Sequence, residues 1–276
     1  FKAVLLGQWH SLSDPELVEH SILTRIDFNL FCGFDEMHIP DHSTLCRYRN
    51  RLAQTDLLEE LLSLINRELT AKGLKVKKAQ TAVVDATIIE TGGGKQRQAI
   101  ETDTNGNITG QTTPGKDADA RWIKKDGKYR PGYKQHTRTD AEGYIEKVYA
   151  TPANAHETHH FKPLLKGLRK GVKVYADKGC DSKANRAALA AKRLRDGIMK
   201  KAHRGSPLTQ TQTARNKQLS KIRYVVEQSF GTLRRKFRHT KAAYFGVRKV
   251  TVQCRLKAIC LNLLKAGNRL RTPACA

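Results

Sequence analysis

Two short β-like runs that each end on an aspartate, followed by a helical stretch carrying a glutamate, constrain this chain more than any other feature. Thr81-Ala82-Val83-Val84 leads into Asp85, and Val172-Lys173-Val174-Tyr175-Ala176 leads into Asp177. Glu227 lies within Ile222-Arg223-Tyr224-Val225-Val226-Glu227, whose apolar spacing is helical. A carboxylate at the end of a buried strand is costly unless something pairs with it. Taken singly, each aspartate also reads as ordinary turn chemistry at a strand end. The order and setting of all three point instead to acids gathered at one place.

The surrounding pattern gives those acids a frame. Residues 1 to about 72 read as helices, with starts at Ser13-Asp14-Pro15-Glu16 and at Pro40-Asp41-His42-Ser43-Thr44. A third helix carries Leu57, Leu58, Leu61, Leu62, Ile65 and Leu69 and closes near Gly73. A charged linker over 75–78 precedes the first strand, Thr81 to Ile89. Residues 91–119 are rich in Gly, Thr and Asp and read as a long loop. Asp126-Gly127 and Glu142-Gly143 each mark a hairpin, the first joining Arg121–Lys124 to Lys128–Tyr133, the second Lys134–Arg138 to Tyr144–Ala150. Then come a helix from His159 to Leu168, the strand ending at Asp177, a helix from Lys183 to Arg195 and a short strand, Gly197 to Lys201. A polar loop to about Arg215, the long helix with Glu227, and a final helix from Val250 to Leu264 complete the chain. This succession is that of the ribonuclease H-like α/β fold, a mixed sheet flanked by helices. We place it over 76–267, after a small all-helical region over 1–74 with a DNA-binding role. In that fold the first and fourth strands are neighbours, which brings Asp85 beside Asp177. The long separations in sequence are tolerable because loop closure costs grow only logarithmically.

Charge bears on what the acids are for. Lys and Arg number 51 against 26 Asp and Glu, a formal charge of +25. Cationic surface on this scale is rewarded by counterion release from phosphates, so nucleic acid is the expected partner. A basic protein without such a partner, or one that adheres to anionic lipid, is the alternative. Carboxylates on a chain built to meet polyanions suggest divalent metal ions handling phosphodiesters. With 39% hydrophobic residues the chain can build a core, and no apolar run approaches the roughly 18 residues that span a bilayer. The six cysteines are scattered without a CxxC pair, which argues for reduced thiols in a cytosolic protein. No signal peptide is visible. The chain opens at Phe1 inside an apolar pattern and without an initiator Met, so the natural start is expected to be missing or the reading frame broken.

Five segments together resemble the DDE-type transposases of bacterial insertion sequences, specifically insertion-sequence family five. They are Ala82-Val83-Val84-Asp85-Ala86-Thr87, Gly132-Tyr133-Lys134-Gln135-His136, Pro152-Ala153-Asn154-Ala155-His156-Glu157, Tyr175-Ala176-Asp177-Lys178-Gly179 and the run from Arg223 to Arg234. The resemblance implies that Asp85, Asp177 and Glu227 are the catalytic acids and the metal ligands, with Asp85 bridging two Mg²⁺ ions and Mn²⁺ able to substitute. It implies cleavage at the ends of an insertion sequence and joining of the 3′-hydroxyls to target DNA, by a homo-oligomer on double-stranded DNA. A bacterial cytoplasmic protein associated with the nucleoid, not with membrane, is expected. A nuclease of the same fold that does not join, or a DNA-binding remnant without activity, are the alternatives. The sequence departs from the family's usual pattern at Ser220, where a Tyr is common, at Arg234, where a Lys is common, and at Cys180, where a Tyr is common.

The remaining motifs are weighed against plainer readings. On a helical wheel Arg223 lies about 40° from Glu227 and Arg234 about 20° from it, so both could hold DNA phosphates beside the acid. The plainer reading is an i, i+4 ion pair worth a few tenths of a kcal/mol. Lys134 and Lys178, inside two of the matching segments, are further expected DNA contacts. Arg47, Asn50 and Arg51 follow a capped helix start and suit a base-reading helix, or equally a solvated face on a packing helix. Arg235 and Lys236 belong to a denser basic cluster that suits DNA backbone. His156-Glu157-Thr158-His159-His160 matches the HExxH pattern of zinc proteases. Pro163 argues against it, since a helix is expected to start near the motif and not run through it. Thr91-Gly92-Gly93-Gly94-Lys95 lacks the spacing of a nucleotide-phosphate loop.

Overall fold

Strand β1 (Thr81–Thr91) organises the molecule, because every other strand of the main sheet is placed by pairing with it or with its neighbours. In the computed structural model, residues 1–35, 38–76, 80–93, 97–102, 108–113 and 117–271 are described. Strand β1 pairs antiparallel with β5 (Lys128–Thr139) and parallel with β7 (Lys173–Ala176), which pairs parallel with β8 (Arg195–Ile198). Strand β6 (Ile145–Pro152) runs antiparallel to β5, giving the order β6-β5-β1-β7-β8 of a ribonuclease H-like sheet. Strand β4 (Arg121–Lys125) pairs with the first part of β5, and β9 (Lys241–Ala242) adds to the end of β1.

The alternation of β1 decides which helices cover which face. Val83 and Ile89 join a core with Val226, Phe230 and Leu233 of α8 (Gln210–Phe237) and Cys254 and Leu261 of α9 (Val247–Arg271). Ala82 and Val84 join another with Phe161 and Leu164 of α6 (Glu157–Leu164) and Leu189 of α7 (Lys183–Ala191). Helices thus cover both faces of the central strands.

The N-terminal helices are α1 (Lys2–His10), α2 (Asp14–Leu17) with a π turn after it, α3 (Ile26–Cys32), α4 (His42–Leu52) and α5 (Leu57–Ala71). Both expected starts carry their caps: Ser13 and Glu16 form a capping box, and Asp41 accepts the Thr44 N–H at 2.6 Å. These helices share a core with α9, since Ala3, Val4, Leu17, Ile22 and Leu58 pack with Val252 and Leu256. Among the described residues no helix is long and apolar enough to cross a membrane. The described cysteines, Cys32, Cys46, Cys180, Cys254 and Cys260, are free thiols, and Cys275 lies outside the described residues.

The sequence reading needs correction at several places. The helix expected to run to Arg195 ends at Ala191, and the strand expected from Gly197 begins at Arg195. The polar stretch 91–119 is not one loop, because β2 (Arg97–Thr102) and β3 (Ile108–Thr113) pair as a separate two-stranded sheet. The two strands expected over 128–138 are one continuous β5, which passes close to β1 at Gly132. That residue has φ +157°, and a Cβ there would lie 2.1 Å from the Ile89 carbonyl oxygen, so only glycine permits the approach. Helix α6 begins at Glu157, before the expected His159, because Pro163 falls in its last turn and not its first. Helix α8 begins at Gln210, earlier than the expected loop boundary, since Thr209 and Gln212 form a capping box.

Candidate active site

Helix α8 lies across the face of β1 that carries Asp85 and Thr87. Its buried stripe runs Leu219, Arg223, Val226, Phe230, Leu233 and Phe237, so a guanidinium occupies a position that the helical period assigns to the core. There Arg223 meets all three acids. Its Nη2 donates to Asp85 Oδ2 at 2.8 Å and its Nη1 to Asp177 Oδ1 at 3.4 Å, while Glu227 Oε1 lies 3.8 Å away. The carboxylates form a gradient of exposure, from 14% for the Asp85 side chain through 35% for Asp177 to 54% for Glu227. Asp85 is therefore the deep acid and Glu227 the rim.

Burial pushes the Asp85 carboxyl above its ordinary range, against the pull of Arg223 and of the Ala86 N–H, which donates to Oδ1 at 2.8 Å. Like charge adds less than burial does, and it comes from Glu157. Burial also works against the charge of Arg223, but Asp85, Asp177 and Glu227 more than compensate and hold it above the usual arginine range.

The loop after Asp177 is pinned from two helices. Thr158 Oγ1 donates to the Gly179 carbonyl at 2.9 Å, and Asn185 Nδ2 donates to the Cys180 carbonyl at 3.0 Å. Glu157 closes the same corner, 3.6 Å from Lys134 Nζ. Cys180 is buried among Asp85, Asp177 and Glu157, and burial raises its thiol to about 12, so it is an inert filler there. The space behind the acids is only about 10 Å³, too tight for more than a single water.

The expected DNA contacts divide into two groups. Lys178, Arg234, Arg235, Lys236, Arg47 and Arg51 are exposed, and Asn50 is half-buried against Cys46 Sγ at 3.7 Å. Arg234 also donates to Thr87 Oγ1 at 2.5 Å, which fixes a cation two residues beyond Asp85 along β1. Lys134 and Arg223, expected to face DNA, are turned inward. Lys134 donates to the Ala155 carbonyl at 2.8 Å, and Arg223 is held by the acids. Lys125, Arg130 and Lys241, which the sequence reading did not single out, line a cleft of about 280 Å³ with Arg234 and the acids Glu90 and Asp126. Their signal was weak, because basic residues occur throughout the chain.

Neither decoy motif builds a site. His156 is the N-cap of α6, and His160 stacks on buried His136 with ring centres 4.4 Å apart, where burial holds the His136 imidazole down at about 3. Thr91 Oγ1 accepts the Gly93 N–H and donates to Asp117, while Gly94 and Lys95 lie outside the described residues. As the side chains stand, no group of three or more His, Cys, Asp or Glu among the described residues is arranged to hold a metal ion. The donor set of the three acids still suits a hard divalent cation, being carboxylate oxygen only, and positive charge is already drawn to its centre in the form of Arg223.

Comparison with known proteins bears on the family of the chain. A family model described as a transposase DDE domain matches residues 77–263, and a second, described as a transposase domain, matches residues 1–51. A transposase for the insertion sequence element IS1106 from Neisseria meningitidis serogroup B is 70% identical over 230 residues, covering 83% of this chain and 80% of that protein. Solved structures resemble the chain more distantly. A piggyBac transposase synaptic complex with hairpin DNA shows 10% identity and a TM-score of 0.45, covering 99% of this chain and 72% of the other. A Mos1 mariner paired-end complex with Mn shows 11% identity and a TM-score of 0.26, covering 95% of this chain and 77% of the other. Spanned by the DDE model and matched at high identity by a transposase, the chain belongs to the DDE transposases and is an enzyme of DNA transposition.

Proposed function

We propose that Asp85, Asp177 and Glu227 are the catalytic acids, that they hold two Mg²⁺ ions with Mn²⁺ able to substitute, and that the enzyme cuts the ends of its element and joins them to target DNA. The observation that carries this reading is the meeting of three acids, from β1, the end of β7 and α8, at one guanidinium. When bound, such ions make a water or a 3′-hydroxyl nucleophilic and neutralise the leaving oxygen. The chain's own residues do the rest. Asp85 offers a deep carboxylate fixed by the Ala86 N–H, and Asp177 is steadied by the loop that α6 and α7 pin. Arg234 and Lys178 stand at the rim where a phosphate would be held.

In this reading residues 76–267 carry the chemistry and residues 1–74 contribute DNA recognition. Arg47, Asn50 and Arg51 of α4 read the element ends, while Arg235 and Lys236 grip backbone phosphates. The working form is a homo-oligomer on double-stranded DNA in the bacterial cytoplasm, at the nucleoid. The +25 charge supports the DNA assignment.

A strand-transfer assay on oligonucleotides carrying the element ends tests the proposal. Asp85→Asn keeps the shape and removes the charge. Cleavage and joining are expected to fall by at least about a thousandfold, with DNA affinity retained or slightly raised. Asp177→Asn and Glu227→Gln should match it, and pairs of substitutions should add little because the acids act as a unit. Near-normal joining by Asp85→Asn, with a melting curve like the parent's, would refute the assignment. Cleavage without joining in the parent would reassign the protein as a nuclease.

A further inference from the structure

The acids assigned to metal are already engaged by a cation of the protein itself. Both oxygens of Asp85 have a donor at 2.8 Å, Oδ1 from the Ala86 N–H and Oδ2 from Arg223 Nη2. The same guanidinium reaches Asp177 at 3.4 Å and stands 3.8 Å from Glu227. Little else holds it. Its Nη1 has Met199 Sδ as a further acceptor at 3.7 Å, a weak one, and its Nε is buried without a hydrogen-bond partner. Arg223 is only 8% exposed and sits in the buried stripe of α8, where burying a charge is costly without paired acids.

We propose that Arg223 is the resident counter-ion of the three acids in the metal-free protein and a positioning residue that sets the metal affinity of the site, because it must leave the carboxylates before divalent cations can bind. The inference rests on the reading of Asp85, Asp177 and Glu227 as metal ligands. Mg²⁺ binds oxygen ligands at about 2.0–2.1 Å. A guanidinium nitrogen on the same Asp85 oxygen would leave the two positive centres a few ångströms apart, in a partly buried place where water screens them poorly. One guanidinium reaching three acids competes at all of them together. In exchange, it gives the metal-free protein one positive charge among three neighbouring carboxylates, so the site is pre-formed but closed. The helical period that places Arg223 four residues before Glu227 is what delivers it there.

The test uses the full chain without DNA and Mn²⁺ alone as the probe. Bound Mn²⁺ is read by paramagnetic resonance and stability by melting with and without the ion, for the parent, Arg223→Gln, Arg223→Lys and Asp85→Asn. Arg223→Gln is expected to bind Mn²⁺ about tenfold more tightly than the parent, since a competing neighbouring charge shifts such equilibria by about one logarithmic unit or more. Its melting temperature should drop without metal and recover on adding Mn²⁺ by more than the parent gains. Arg223→Lys keeps the charge but loses the fork that spans three acids, so it should bind Mn²⁺ with intermediate affinity, and it carries the test if the Gln variant does not melt cooperatively. A merely structural arginine would lower the melting temperature equally with and without metal and leave Mn²⁺ affinity alone. Parental or weaker affinity in the Arg223 variants, with Asp85-dependent binding in the parent, overturns this inference and leaves the ligand assignment standing. Mn²⁺ binding by the parent no stronger than by Asp85→Asn removes the ligand assignment and the inference with it.

Discussion

Asp85, Asp177 and Glu227 share the single cation Arg223, whereas at the turn between β5 and β6 the acids Asp140 and Glu146 meet two cations, Lys75 and Arg138. Lys75 Nζ lies 3.0 Å from both Asp140 and Glu146, and Arg138 Nε lies 3.2 Å from Glu146. Arg138 also donates to the carbonyls of Leu164 and Lys166 at 2.6 and 2.7 Å. Burial pushes the Asp140 carboxyl upward as it does that of Asp85, so burial does not tell the two clusters apart. Charge balance does. The cluster at the turn has equal numbers of opposite charges, while the one under α8 gathers three acids around one guanidinium. In the reading of Asp85, Asp177 and Glu227 as metal ligands, that shortfall is what a divalent cation would fill.

The sharpest way to break this contrast is to remove one charge from the balanced cluster. Lys75→Met leaves Asp140 and Glu146 buried beside one cation, and stripping a buried pair of a partner costs about 3–5 kcal/mol. The expected result is a large loss of melting temperature, with strand joining per folded molecule unchanged. Asp85→Asn should do the reverse, sparing the fold and abolishing the chemistry. Loss of joining by Lys75→Met at a matched folded fraction would mean that the two clusters are coupled and the contrast is false.

A single buried group with no acid beside it sharpens the same point. Lys75 keeps its charge, because its two acids outweigh the burial that works against it, and its ammonium is held above the ordinary lysine range. His239 has no such partner. Burial, helped by Lys257 and Arg234, holds its imidazole down at about 3. Its Nε2–H donates to Gln135 Oε1 at 2.7 Å, and its Nδ1 is buried without a partner, so a second proton would have nowhere to donate. The folded state therefore binds this proton less readily than the unfolded chain. The resulting stability is complete above about pH 6.5 and is lost as pH falls below it, by about 1.4 kcal/mol per pH unit, until the folded value is reached. Denaturant melts of the parent and of His239→Gln between pH 7 and 5 check this. The variant should start less stable but show a shallower decline by that amount per unit, and parallel declines would mean that His239 is not held neutral.

Much of this arrangement is legible in the order of the residues alone. The apolar runs ahead of Asp85 and Asp177 mark two strands, the order of elements makes them neighbours, and caps at Ser13 and Asp41 mark two helix starts. The direction of Arg223 is in the sequence as well, since it falls on the stripe of Leu219, Val226 and Phe230, yet its nearness to Glu227 on the wheel suggests DNA instead. The inward turn of Lys134 is not legible. It depends on where the Ala155 carbonyl and Glu157 come to rest, which is settled by contacts between β5 and the segment leading into α6. The pairing of β2 with β3 is hidden because polar residues dominate both strands and, among the described residues, they pair only with each other. Local pattern carries elements and faces. Partners of long polar side chains are fixed by tertiary contacts that no period encodes.

The smallest expected effect belongs to charges that no acid among the described residues completes. Arg235 and Lys236 stand exposed in the last turn of α8, where cations also suit the negative end of the helix. Replacing both by Ala should cost the fold only a few tenths of a kcal/mol and leave both ion clusters untouched. On duplex DNA the loss should appear as weaker binding to every sequence alike. The slope of log affinity against log salt should become shallower by about 0.9 for each phosphate contact removed. Arg47→Ala or Asn50→Ala in α4 should instead change the preference for element ends over other duplexes, if that helix reads bases. Binding titrations at several salt concentrations, on an element end and on a scrambled duplex, separate the two outcomes. An unchanged slope in the Arg235 and Lys236 variant would move the backbone grip elsewhere, with the cleft lined by Lys125, Arg130 and Lys241 as the next surface to strip of charge.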